Sequence, residues 1–243
     1  MTKSSARGGP RGARGVTLTF VGLLVAAAIA LGAPLMASAS SSQSAAQLFR
    51  TAIKSSSAAS SFSVKGTVDQ PKDDLALNLT VGASGMAQGS LTINGGTVRI
   101  IEVGKTVYFN ADTTFWTQNT NATEAQLLAG KWVYGPISSA PFSSFQAFLS
   151  PRAFMKLFLG SDQGPFSKKG TTTVNGVRVI PVMANGPGIL YVEAANPHLV
   201  VSAKGSKGTS SASLSFGNYG QAVHASKPAG GINIKALEKT SSS

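Results

Sequence analysis

Side chains that commonly carry chemistry are sparse in this 243-residue chain. There are two histidines, His198 and His224, and no cysteine. A zinc site or a nucleophile–base pair needs several such groups to converge. These two fall on separate predicted strands or loops, so each reads as a surface or turn residue. Asp69, Asp73 and Asp74 cluster about Pro71 but lack the spacing of a calcium-binding loop, and they read as a polar hairpin tip. No Asp/Glu pair recurs at a separation suited to acid–base work. Serine is abundant, yet there is no G-x-S-x-G elbow, and the glycines form neither a P-loop nor a dinucleotide fingerprint. The expectation is a protein that is not an enzyme and has no catalytic, metal-binding or cofactor-binding set. Asn78-Leu79-Thr80 and Asn121-Ala122-Thr123 match the glycosylation sequon, a short and common pattern.

One constellation is informative, and it is apolar. Phe142, Phe145, Phe148, Phe154, Leu157 and Phe158 occur between positions 142 and 158. Phe142 and Phe145 are three apart, with Leu149 a further turn along; Phe154, Leu157 and Phe158 make a second face. Aromatic helices laid over a sheet can line a cavity for acyl chains. The same residues also read as ordinary core contacts of two short helices. The candidate cavity lining is therefore Phe142, Phe145, Phe148, Leu149, Phe154, Leu157 and Phe158, with both readings open.

The elements that must position these side chains follow from periodicity. Ala45, Leu48, Phe49, Ala52 and Ile53 share one helical face. Period two then takes over: Phe62, Val64 and Val68; Leu75, Leu77, Leu79 and Val81; Leu91 and Ile93. Turn residues separate these runs, and hairpin strands follow at 97–103 and 106–111, so five strands form an antiparallel meander. Asn121 to Glu124 fits a capping box, with a helix over 125–129 and a possible strand at 131–134. Positions 141–149 and 150–159 predict two short helices, the second with Ser150 as N-cap and Pro151 at its first position. Strands return at 171–174 and 177–182 around Asn175-Gly176, then at 189–193, 198–204 and 211–216. The last seventeen residues hold one possible strand, 232–234, and a polar tail.

The class is α+β: one strongly curved antiparallel sheet of about ten strands, with helices packed on its concave face. Residues 40–226 form this domain, with a helical insert at about 121–160, and 227–243 is a C-terminal tail.

The first 39 residues read as a signal peptide. Lys3, Arg7, Arg11 and Arg14 precede an apolar stretch from Val16 to Met36, which ends in Ala37-Ser38-Ala39. The alternative is an uncleaved membrane anchor, since about 20 apolar residues span a bilayer. Four of the 21 Lys/Arg lie in this leader, leaving 17 against 9 Asp/Glu, a net charge of +8. These basic residues are scattered, which argues against a nucleic-acid footprint. They suit a soluble basic surface, and they are compatible with an anionic membrane surface. With no cysteine, the chain cannot be acyl-anchored as bacterial lipoproteins are, so the expected location is the cell envelope or the exterior.

Short segments in order along the chain carry a resemblance. They include Ser61 to Gly66, Gly89 to Gly95, Val98 to Gly104, Val107 to Phe109, and Lys131-Trp132-Val133. Val174 to Gly176, Leu190 to Val192, Pro197 to Val200, Leu214 to Gly220 and Lys227-Pro228 complete it. Together they resemble the actinobacterial LppX/LprA/LprF/LprG lipoprotein family, similar in fold to the LolA and LolB carriers. The resemblance implies an antiparallel half-barrel whose hollow holds the acyl chains of a lipid or glycolipid; a monomer is the expected state. The departure is the missing lipobox cysteine, which makes a released shuttle the expectation. The alternative is an envelope scaffold of the same fold with a closed cavity, for which Trp116 and Trp132 are candidate interface anchors.

Overall fold

A computed structural model describes residues 43–139, 142–159, 164–184 and 187–235. The expected signal peptide lies outside the described residues, as do 236–243. Among the described residues no helix is long and apolar enough to cross a membrane.

The first helix, α1 (Ala45–Ala58), starts at a reciprocal cap. The Ser44 hydroxyl accepts the Gln47 amide at 3.2 Å, and the Gln47 side chain accepts the Ser44 amide at 2.8 Å. Its apolar face buries Leu48, Phe49 and Ala52. The meander follows as expected: β1 (Ser61–Asp69), β2 (Leu75–Gly82), β3 (Met86–Ile93), β4 (Gly96–Val103) and β5 (Thr106–Ala111).

A helix absent from the sequence reading comes next, α2 (Thr113–Asn119). Its Thr-Thr-Phe-Trp start favours strand, but Asp112 overrides that preference. One Asp112 oxygen accepts the Phe115 amide at 2.8 Å, and the other ties the cap to Thr97 of β4 at 2.8 Å. The Asn121 cap of α3 (Ala122–Leu128) is present, with its side chain accepting the Glu124 amide at 2.9 Å. β6 (Trp132–Pro136) adds to the sheet beside β5.

The first short helix of the insert, Phe142–Phe148, is a 3-10 helix. Three residues per turn align positions i, i+3 and i+6 on one side, which is the spacing of Phe142, Phe145 and Phe148. All three are buried. α4 (Pro151–Leu159) begins as predicted, with Ala153 donating to the Ser150 hydroxyl at 3.2 Å.

The second half comprises β7 (Ser167–Lys168), β8 (Thr172–Val174), β9 (Val177–Met183), β10 (Ile189–Glu193), β11 (Val200–Lys207) and β12 (Ser210–Gly217). Asn175 and Gly176 both have positive φ, 52° and 77°, as the predicted type I′ turn requires. β13 (Ile232–Asn233) falls at the possible strand 232–234 and pairs parallel with β6, extending the sheet.

All the strands form one unclosed sheet of thirteen, in the order β13-β6-β5-β4-β3-β2-β1-β12-β11-β10-β9-β7, with β8 also on β9. The excess over the expected ten comes from short strands at the edges and from β6. β1 is the seam that joins the two meanders, pairing β2 on one side and β12 on the other. Laid flat, twelve strands at about 4.8 Å spacing would span roughly 50 Å. Yet inward residues from β5 and β6 to β9 belong to one core cluster with the helices, so the sheet wraps around them. Gly66 and Gly89 sit mid-strand where a Cβ would fall on the Ser213 and Asn78 carbonyls, which marks tight bends in β1 and β3.

Candidate functional site

The register fixes which side chains face inward. On the C-terminal half, Gly66, Leu214, Ala203, Leu190 and Val182 stand side by side across β1, β12, β11, β10 and β9. One step toward the strand ends, the next inward row is Val68, Ala212, Gly205, Gly188 and Ala184. A Cβ built on Gly205 would lie 3.5 Å from the Gly188 Cα. This second row consists of small residues from Ala212 to Ala184, so the sheet contributes little bulk there.

Two helices roof the gap. Phe49 reaches down from α1, and Leu157, Phe158 and Leu159 come from the last turn of α4. Between roof and floor lies an apolar cavity of about 90 Å³. Gln70 and Lys204 are the polar residues in its lining. Phe166 packs on Phe49 with ring centroids 4.8 Å apart. The volume is well below the ~300–1,000 Å³ of sites that enclose a drug-sized ligand.

The seven candidate residues divide. Leu157 and Phe158 line the cavity. Phe142, Phe145, Phe148, Leu149 and Phe154 are packed in the core. Phe109 of β5 meets Phe142 and Phe145 edge-on, at 4.8 and 4.6 Å. Phe62 of β1 meets Phe154 edge-on at 5.6 Å, and Phe154 stacks on Phe158 at 4.6 Å. An aromatic layer therefore fills the N-terminal half, and the open space is displaced toward β9–β12. The floor residues escaped the sequence reading. Their signal was present as Gly and Ala at inward strand positions, but pairing was needed to align it.

α1 is held firmly at the end away from its capped start. The Ser56 hydroxyl accepts the Val200 amide at 2.9 Å, and the Tyr219 hydroxyl donates to the Val200 carbonyl at 2.7 Å. Burial, foremost, raises the Tyr219 hydroxyl above the ordinary tyrosine range and keeps it a donor. At its start, the helix is tied by Lys168, whose ammonium donates to the Gln43 carbonyl at 2.7 Å. That contact is exposed, whereas the one at Ser56 is buried.

The His198 Nδ1 lies 3.0 Å from the Glu193 carbonyl, and His224 is exposed. Among the described residues no cluster of three His, Cys, Asp or Glu side chains is placed to hold a metal. Trp116, expected as a surface anchor under the scaffold alternative, is only 4 % exposed, because α2 turns it into the core. Trp132 is half-buried on the outer face, with the Arg99 guanidinium 5.7 Å over its ring. One buried acid went unnoticed in the sequence: Glu102, on the inner face of β4.

These features define a class: an open antiparallel half-barrel, helices on its concave face, with a small apolar cavity beneath two of them. No protein-family model matches the chain, and no curated protein matches it by sequence. Solved structures do match. LprF from Mycobacterium bovis aligns at 16 % identity with a TM-score of 0.51, over 76 % of this chain and 97 % of that one. The lipoprotein LppX of Mycobacterium tuberculosis aligns at 13 % identity with a TM-score of 0.50, over 75 % and 98 %. This chain has the fold of LprF and LppX, as the sequence resemblance implied.

Proposed function

We propose that this protein is a non-enzymatic carrier that binds the acyl part of a lipid or glycolipid in the bacterial cell envelope. The observation that carries this reading is the cavity between the α1–α4 roof and the small-residue floor of β9–β12. Its lining is dominated by apolar side chains, which suits an alkyl chain and offers little to a polar substrate. Each methylene moved there from water gains about 0.8 kcal/mol, so affinity accumulates along a chain without any polar motif. A longer chain requires the cavity to widen. The exposed tie at Gln43 and the firm pin at Ser56 support a hinge of α1 that lifts Phe49. The ligand is a lipid, the protein works as an exported monomer, and the basic surface favours an anionic membrane.

A second reading rests on a specific observation. Phe142, Phe145, Phe148 and Phe154 form a solid aromatic layer, and the space left is about 90 Å³. That favours a scaffold of the same fold whose hollow has closed.

Native mass spectrometry with solvent extraction, on protein purified from the native host's membranes and culture fluid, separates the two. Near-stoichiometric acyl lipid supports the carrier and identifies its cargo. An apo mass with no uptake from added host lipid sinks it in favour of the scaffold.

A further inference from the structure

Glu102 occupies an inward position on β4, between Ala87 of β3 and Val107 of β5. It is 6 % exposed, and its Oε2 is buried with no hydrogen-bond partner among the described residues. The inner row it belongs to reads Val81, Ala87, Glu102, Val107 and Gly135, which is otherwise apolar. The 3-10 helix lies over the end of this row. A Cβ at Gly135 would come within 2.8 Å of the Phe142 ring, and Phe142 and Phe145 both pack on Phe109, the next inward residue of β5.

The other titratable groups on the packed elements do not face it. Arg99 points to the outer surface of β4 and donates to Asn110 at 2.8 Å. Tyr108 of β5 and Tyr134 of β6 share that outer face and stack at 5.5 Å. Lys105 is exposed in the β4–β5 turn, Lys235 is exposed beyond β13, β3 has no ionisable side chain, and neither has the 3-10 helix. Residues 221–231 run past the same end of the sheet, with Val223 against Gly82 and Gly231 against Tyr134, and their His224 and Lys227 are exposed. Burial alone pushes the carboxyl up to about 7.

We propose that Glu102 is a proton-operated latch: protonated, it lets the 142–148 segment close over the concave face, and ionised, it drives that segment to lift. An unpaired buried carboxylate is costly. Among the described residues the closed arrangement supplies no cation to offset it, so ionisation favours any state that admits water to Glu102. The segment over that row carries Phe142, Phe145 and Phe148, so lifting it uncovers the apolar interior. This holds whether or not the interior takes a lipid, because it concerns the cover and not the cargo.

The test is hydrogen exchange by mass spectrometry on the full chain at pH 5.5 and 8.5, with intrinsic rates normalised. Protection over 142–149 is compared with protection over β2, residues 75–82. The expected result is a fall of at least tenfold in the relative protection of 142–149 at the higher pH, and no fall in Glu102→Gln. A ratio equal at both pH values overturns the latch, and so does a Glu102→Gln protein that keeps the wild-type fall. If Glu102→Gln does not fold, carboxyl-carbon NMR of the wild type decides. A Glu102 midpoint near 7 is expected, and one in the ordinary carboxylate range overturns the proposal.

Discussion

Gly205 of β11 faces Gly188, the residue before β10, on the concave side, so close that a Cβ on Gly205 would lie 3.5 Å from the Gly188 Cα. That separation is ordinary van der Waals contact, and it is the pair that leaves the floor of the cavity open. Glycine within a strand costs about 0.5–1 kcal/mol relative to alanine. A cavity at this place explains why the cost is tolerated.

Gly205→Val fills the cavity from its floor. Folding stability is expected to stay level or to rise by about 0.5–1 kcal/mol as strand propensity improves. Uptake of a fluorescent fatty acyl probe should fall at least tenfold. A variant that binds the probe as the wild type does would remove the cavity from the function.

Phe145→Ala and Phe158→Ala should behave differently. Phe145 is fully buried and meets Phe109 edge-on at 4.6 Å, so its truncation should cost about 3–5 kcal/mol in urea denaturation. Phe158 is half-buried at the cavity wall, so Phe158→Ala should cost less and should change acyl-probe affinity instead. Equal losses of stability would mean that the wall is ordinary core.

Tyr219→Phe removes the donor to the Val200 carbonyl and leaves a backbone acceptor unpaired. About 1–2 kcal/mol of stability should be lost. Amide exchange should rise first in the last turn of α1 and at the start of β11, where Ser56 and Val200 meet. Exchange that rises only at Phe49 would place the hinge at the other end of the helix.

The pH dependence of stability has a definite sign. Glu102 is held at about 7 in the folded protein, against an ordinary value of 4.5. Between those values the folded state binds more protons than the unfolded state, so stability falls as pH rises from about 4.5 to about 7 and then levels. The contribution is as much as about 3 kcal/mol at full effect. Denaturation of the wild type and Glu102→Gln at pH 5 and pH 8 isolates it; parallel losses in both proteins would assign the slope elsewhere.

Much of the fold was legible in the chain because local rules agreed with it. Alternation at Phe62, Val64 and Val68, the Asn175-Gly176 turn, and the caps at Asn121 and Ser150 each act over a few residues. They placed most strands and three of the helices. Short-range competition explains one miss. In α2 the Asp112 cap prevailed over β-favouring Thr and Trp.

By itself, then, the sequence determined an α+β chain with one aromatic insert. Those properties depend on residue types and near neighbours. Only the tertiary structure decided where the hollow lies, because strand pairing alone sets Ala212, Gly205, Gly188 and Ala184 in one row. It also decided that Phe142, Phe145 and Phe154 fill space while Leu157 and Phe158 border it. The inward turn of Glu102 follows from the same cause: a period-two register, fixed by long-range pairing, chooses the face on which each side chain stands.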